Sequence, residues 1–224
     1  MIIIMLGAPG SGKGSVAGVL AEEYNIPPIS SGDIFRKNIK EDTELGRIAN
    51  EYMSKAMLVP DDITINMIIS RLKEEDAKDG AILDGFPRTV VQAQAFDKFL
   101  EEEHKKIDLV ISLEAEENEI LTRVINRRVC TNSNCKAVYN LVLLPPKVEG
   151  ICDDCGSPLY QRDDDTMEKV INRIKVHDTE TAPLKDYYAE TGVLFSTGLS
   201  QKINRMKHEV AKDVIEELSK RYND

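Results

Sequence analysis

The chain has 224 residues, 42% of them hydrophobic and 30% charged, with a formal net charge of −10. That size and composition suit one globular domain carrying small insertions, or at most two small domains. So acidic a balance disfavours a diffuse nucleic-acid-binding surface and attraction to anionic membranes, but it leaves room for a local basic cleft.

Residues 2–6, Ile-Ile-Ile-Met-Leu, are an unbroken apolar run, the pattern of a strand covered on both faces. No basic segment precedes this run, it is too short for a signal peptide, and no later stretch has the length of a membrane span, so a cytoplasmic protein is expected. Residues 7–14 hold four glycines and a proline and read as a tight loop, with a helix after it through Tyr24. A short strand near Ile26–Ile29 and helices over 32–40, 44–55 and 61–75 follow. The last of these starts at Asp61, directly after Pro60. Ala81–Leu83 reads as a buried strand ending at Asp84, residues 89–102 as a helix, Asp108–Leu113 as a strand and 116–128 as a helix. Residues 129–165 break the rhythm with four cysteines and Pro145, Pro146 and Pro158, the mark of a small inserted unit. Helix returns over 166–190, then a strand at Val193–Phe195 and a last helix over 202–221. The alternation predicts an α/β fold, a parallel sheet with helices on both faces.

Gly7-Ala8-Pro9-Gly10-Ser11-Gly12-Lys13-Gly14-Ser15 contains the G-x-x-x-x-G-K core of a phosphate-binding loop. Its glycines let backbone N–H groups surround phosphate oxygens, the helix end adds positive potential, and Lys13 supplies a mobile charge. Gly14 stands where the general motif has a Ser or Thr for Mg²⁺. A Gly-rich turn that merely joins strand to helix is the alternative. Asp84-Gly85-Phe86-Pro87-Arg88 closes a second apolar strand; Asp84 can hold a Mg²⁺-bound water, or the segment is an ordinary Asp-Gly turn. Ser30-Ser31-Gly32-Asp33 with Arg36 reads as a helix start that could meet an anion, although a plain N-cap explains those residues alone. Arg123, Arg127 and Arg128 precede the insert, with Arg123 and Arg127 expected on one helical face; Arg162 and Arg173 follow it. Arginine suits phosphate through its planar, permanently charged fork. Asp164 and Asp165 are placed to hold two of these arginines. His104, His177 and His208 are expected to be exposed, and no Ser-His-Asp or Cys-His arrangement stands out.

Cys130, Cys135, Cys152 and Cys155 give C-x4-C-x16-C-x2-C, two ligand pairs across a loop, as in structural Zn²⁺ sites. Free thiols or two disulfides remain the alternatives, and the first spacing is longer than the usual x2.

Together the phosphate loop, Ser31-Gly32-Asp33 with Arg36, Asp84-to-Arg88 with Gln92, Arg127-Arg128 and Arg162 with Asp164-Asp165 resemble the adenylate kinase family, in the long form with a metal-binding lid. The resemblance spans nearly the whole chain. It implies a five-stranded parallel sheet in a core of residues 1–29, 60–126 and 165–224, an AMP-binding segment over 30–59 and a lid over 127–164. It implies that Gly10, Ser11, Gly12, Lys13, Gly14, Ser15, Arg123, Arg127, Val138 and Tyr139 bind ATP. Ser31, Arg36, Met57, Leu58, Val59, Gly85, Phe86, Pro87, Arg88 and Gln92 would hold AMP. Arg162 and Arg173 would bridge the phosphates, with Lys13, Asp84, Arg88 and Arg123 also serving the transfer. Mg²⁺ would accompany ATP, Zn²⁺ would stabilise the lid, ADP would be the product and a monomer the working form. Ser31 stands where many members have Thr, Met57 where many have Lys, and the tail beyond Gly198 is longer than the family pattern. A kinase for UMP, CMP or GMP, a non-catalytic nucleotide-binding module and a zinc-ribbon nucleic-acid binder are the competing readings.

Overall fold

The structure, a computed structural model, describes residues 1–132, 134, 135, 137–198 and 207–223. Five strands, β1 (Ile2–Leu6), β2 (Pro28–Ser30), β3 (Ala81–Asp84), β4 (Leu109–Glu114) and β8 (Leu194–Gly198), form one parallel sheet in the order β2-β3-β1-β4-β8. Period-2 geometry divides the apolar run of β1 between two cores. Ile2, Ile4 and Leu6 pack with Leu83, Val110, Phe96 and Tyr188. Ile3 and Met5 pack with Val16, Leu20, Ile82, Ile111 and Val214 on the other face. The helices follow from that division. α1 (Lys13–Tyr24) and α9 (Lys207–Asn223) cover the second face, while α4 (Asp61–Leu72), α5 (Val90–Glu102) and α8 (Pro183–Glu190) cover the first. The central pairings place Met5 beside Asp84 and Leu6 beside Ser112, so the loops after β1, β3 and β4 leave one edge of the sheet together.

α2 (Ser31–Lys40) and α3 (Glu44–Met53) pack on each other over a small core of Phe35, Ala49 and Val59. Ser30 caps α2 by accepting the Asp33 N–H at 3.3 Å, and Thr43 caps α3 by accepting the Gly46 N–H at 3.0 Å. The expected helix over 61–75 ends at Leu72, and a 3₁₀ turn follows at Glu75–Ala77.

Two helical expectations need correction. The helix expected over 116–128 is α6 (Glu117–Ile125), and Arg127–Cys130 form strand β5. Arg123 and Arg127 therefore do not share a helical face. β5 pairs antiparallel with β6 (Val138–Asn140) and β7 (Leu159–Tyr160), and these ladder bonds outcompete another helical turn. Asn140 reinforces the break, since its side-chain amide donates to the Arg123 carbonyl at 2.9 Å and satisfies an end of α6. The helix expected over 166–190 is likewise interrupted: α7 (Met167–Val176) passes through a π turn at His177–Thr181 before α8. Pro183 opens α8 and has no N–H to give to the preceding turn; Ala182 instead donates to His177 five residues back at 2.8 Å. His177 is half-buried there rather than exposed, and burial lowers its pKa. The first residues of the helix expected over 202–221, and the tail immediately after Gly198, lie outside the described residues.

Candidate functional site

The loop between β1 and α1 closes on itself through close backbone approaches. A Cβ on Gly7 would lie 2.4 Å from the Leu113 carbonyl oxygen, and one on Gly10 would lie 2.4 Å from Val124 Cγ2. Both also hold positive φ, at 137° and 81°, so glycine is required twice over. Lys13 folds back over this loop and donates to the Gly7 and Ala8 carbonyls at 2.7 and 2.8 Å. Burial presses its pKa down to about 8, against an opposing pull from Asp84. Gly14, the departure from the general motif, has a local reason. A Cβ there would come within 3.3 Å of Asp84 Oδ2, so the glycine lets the carboxylate of β3 sit against the start of α1.

Cations crowd the space in front of this loop. Arg127 donates through Nε and Nη2 to Asp165 at 2.8 and 2.5 Å, and the Asp165 side chain is fully enclosed. Arg173 pairs with Asp164 at 2.8 Å and lies 3.7 Å from Asp165. Arg162 reaches from beyond the insert to Asp33 of α2 at 3.4 Å, where Arg36 also pairs at 2.5 Å. Burial and the neighbouring Arg36 and Arg127 lower Arg162 to about 10. Arg173 falls to about 10 through burial, with Arg127 and Arg88 adding repulsion. The Nε of Arg162 is buried without a hydrogen-bond partner among the described residues. Guanidinium groups held this close in a partly dry cleft favour an added polyanion. Arg123 forms an ion pair with Glu119 at 3.3 Å one helical turn away on α6.

On the far side of Asp84, a cleft brings together Ser31, Met57, Leu58, Val59, Gly85, Arg88 and Gln92. Ser31 Oγ donates to the Gly85 carbonyl at 2.6 Å, and Arg88 Nε donates to the same oxygen at 2.9 Å. Phe86 is fully buried and packs edge-on against Phe96, with ring centroids 5.4 Å apart. Its side chain anchors the turn in the core, with buried Pro87 next to it after a cis peptide bond. Thr181 of the π turn donates to the Arg88 carbonyl at 2.9 Å, a support that only the interrupted helix supplies. A wider groove between α2, α3 and α4, lined by Lys37, Glu41, Arg71 and Glu74 among others, contains none of the phosphate-loop or cleft residues and is not the site.

The sulfurs of Cys130, Cys135, Cys152 and Cys155 lie within 4.8 Å of one another. The pairs Cys130–Cys155 and Cys135–Cys152 stand 3.5 and 3.6 Å apart. Tetrahedral thiolates around Zn²⁺, with bonds of about 2.3 Å, would stand roughly 3.8 Å apart, so the donor set fits. Tyr139 turns its side chain into this cluster. Its hydroxyl accepts the Asp153 N–H at 2.8 Å and lies 3.6 Å from Cys152 Sγ. Val138, its neighbour, is exposed.

An adenylate kinase family model matches residues 5–193. The chain belongs to the adenylate kinase family. It is similar to adenylate kinases of Caldicellulosiruptor bescii (48% identity, over 95% of this chain and 98% of the relative) and Streptomyces coelicolor (47%, over 95% and 99%). It is also 46% identical to an adenylate kinase of Staphylococcus aureus, over 97% of this chain and 99% of the relative. No helix among the described residues is long and apolar enough to cross a membrane.

Sequence reasoning passed over several contributors to this adenylate kinase family site. Asp61 reads only as a helix start, yet it accepts hydrogen bonds from Gln92 Nε2 at 2.7 Å and Thr89 Oγ1 at 3.1 Å. The structural work of Tyr139 and Thr181 carries no local signal either. A charged residue directly after Pro60 is the one clue to Asp61, and it does not name the partner.

Proposed function

We propose that this enzyme transfers the γ-phosphoryl group of MgATP to AMP, giving two ADP, by direct in-line displacement. The observation that carries this reading is the pairing of Met5 with Asp84. It sets the phosphate loop after β1 and the Gly85–Gln92 segment after β3 side by side at one sheet edge, with the arginine cluster in front of both. ATP would take the loop Gly10–Ser15, Arg123, Arg127 and the Val138–Tyr139 backbone. AMP would take Ser31, Arg36, Met57–Val59, Gly85–Arg88 and Gln92. Its phosphate is already ionised at neutral pH, so the nucleophile needs no general base.

Lys13, Arg88, Arg162 and Arg173 would then hold the transferring group and offset the charge that spreads over its oxygens. On meeting phosphate, Lys13 exchanges its loop carbonyls for anionic oxygens and keeps its proton. Mg²⁺, carried with ATP and within reach of Asp84 through water, would neutralise phosphate charge. The segment over 30–59 and the lid over 127–164 would close over the core and exclude water, limiting hydrolysis of ATP. The existing contact of Arg162 with Asp33 already links those two parts. The four thiolates would hold Zn²⁺ in a structural role, consistent with work as a monomer in the reducing cytoplasm.

A coupled assay with Mg²⁺, ATP and each of AMP, GMP, CMP and UMP tests the reading. Fast ADP formation with AMP alone is expected. Preference for another acceptor would overturn the substrate, and no turnover with any of them would leave a nucleotide-binding module.

A further inference from the structure

Gln92 is 1% exposed, and both ends of its side-chain amide are engaged. Nε2 donates to Asp61 Oδ1 at 2.7 Å, and Oε1 accepts the Arg88 backbone N–H at 2.8 Å. The amide orientation follows from chemistry, because an ionised carboxylate only accepts and a backbone N–H only donates. Thr89 closes the arrangement: its hydroxyl accepts the Gln92 N–H at 3.1 Å and donates to the same Asp61 oxygen at 3.1 Å. One Nε2 hydrogen and one Oε1 lone pair remain, and Gln92 lines the cleft with Ser31, Val59 and Arg88.

We infer that Asp61 is a specificity-determining residue that locks the polarity of the Gln92 amide so that the acceptor cleft takes a 6-aminopurine and rejects a 6-oxopurine. This rests on the reading of that cleft as the AMP site. A free glutamine amide can present its oxygen and its N–H in either order and so reads both base types. Adenine offers a donor at N6 beside an acceptor at N1 or N7, which matches the locked order. Hypoxanthine and guanine offer an acceptor at O6 beside a donor at N1, the reverse. Turning the amide over to suit them would point Oε1 at the Asp61 carboxylate and Nε2 at the Arg88 N–H. Two repulsive contacts in a dry site replace two hydrogen bonds, the kind of mismatch that buried polar groups punish most. Asp61 does not itself line the cleft; it acts through Gln92 as a positioning residue.

The test compares AMP with IMP as acceptors for MgATP. IMP carries the 6-oxo group without the 2-amino group of GMP, so polarity is varied with little change in shape. Wild type should use AMP and strongly disfavour IMP. In Asp61→Asn the side chain can donate as well as accept, which removes one of the two repulsive contacts that oppose turning Gln92, while the Arg88 N–H keeps the other. The ratio of kcat/KM for AMP to that for IMP should then fall by roughly tenfold or more, with kcat/KM for IMP rising in absolute terms. A purely structural role would lower both values together and leave the ratio unchanged, and that result overturns the lock. Asp61→Ser, whose hydroxyl can also donate or accept, repeats the comparison should Asp61→Asn fail to melt cooperatively. If wild type uses AMP but both variants keep its ratio, the lock fails and the acceptor reading stands. If wild type does not use AMP, the acceptor reading falls and the lock falls with it.

Discussion

Asp165 and Asp76 offer a controlled experiment on what burial does to an ion pair. Each carboxylate takes an arginine in a two-pronged contact, Arg127 at 2.8 and 2.5 Å and Arg71 at 2.8 and 2.6 Å. They differ in water: the Asp165 side chain is 0% exposed, that of Asp76 56%. Substituting Asp165→Asn removes the charge, keeps the shape and turns one donor toward another. Breaking a buried pair at one partner costs about 3–5 kcal/mol, whereas an exposed pair contributes about 0–1 kcal/mol. Arg127 retains 16% exposure, which places Asp165→Asn at the lower end, about 3 kcal/mol. For a chain of this size the melting temperature should fall by about 6–12 °C, and by no more than about 4 °C in Asp76→Asn. Differential scanning calorimetry of the metal-loaded protein at neutral pH measures both. The KM for ATP should also rise in Asp165→Asn alone, because Arg127 and Arg173 lose the carboxylate that spaces them. Equal small shifts in the two variants would refute the reasoning, since burial would then count for nothing at this pair.

Lys13→Met should abolish phosphoryl transfer with the fold retained, and it carries a pH signature. Lys13 titrates at about 8 in the fold against 10.5 for an ordinary lysine, so between those values the unfolded chain holds the extra proton. The Lys13 contribution therefore makes ligand-free stability rise with pH across that window. The difference in denaturant midpoint between Lys13→Met and wild type should be largest below pH 8 and shrink toward 10.5; a difference that stays constant contradicts the burial of the ammonium. Tyr139→Phe deletes a hydroxyl whose lone pair is taken by the Asp153 N–H, which leaves its proton for Cys152 Sγ. Zn²⁺ should pass to a competing chelator roughly ten- to a hundredfold more readily, and unchanged transfer would remove Tyr139 from the support of the metal site.

Much of this molecule could be read one segment at a time. Ile2–Leu6, Ala81–Asp84 and Leu109–Glu114 are strands because apolar runs bounded by breakers have few other uses, and the glycine loop declares its chemistry over nine residues. The four cysteines likewise announce a shared site. These signals are local, so neighbouring residues suffice to carry them. What only the tertiary structure decided depends on partners far along the chain. Asn140 and the three-stranded antiparallel ladder turn Arg127 and Arg128 from helix into strand, against their local periodicity. Pro183 marks the break between α7 and α8, but only the packing delivers Thr181 to Arg88, 93 residues away. Which acid holds which arginine was decided by packing as well: Asp165 and Asp164, in the turn before α7, divide between Arg127 of β5, 38 residues away, and Arg173 of α7. Asp61 and Gln92 are 31 residues apart, and each alone has an ordinary helical explanation. The sequence by itself determined most of the elements and the family resemblance. The geometry that orients one buried amide, and with it the proposed choice of base, arose only when packing brought together groups that no period connects.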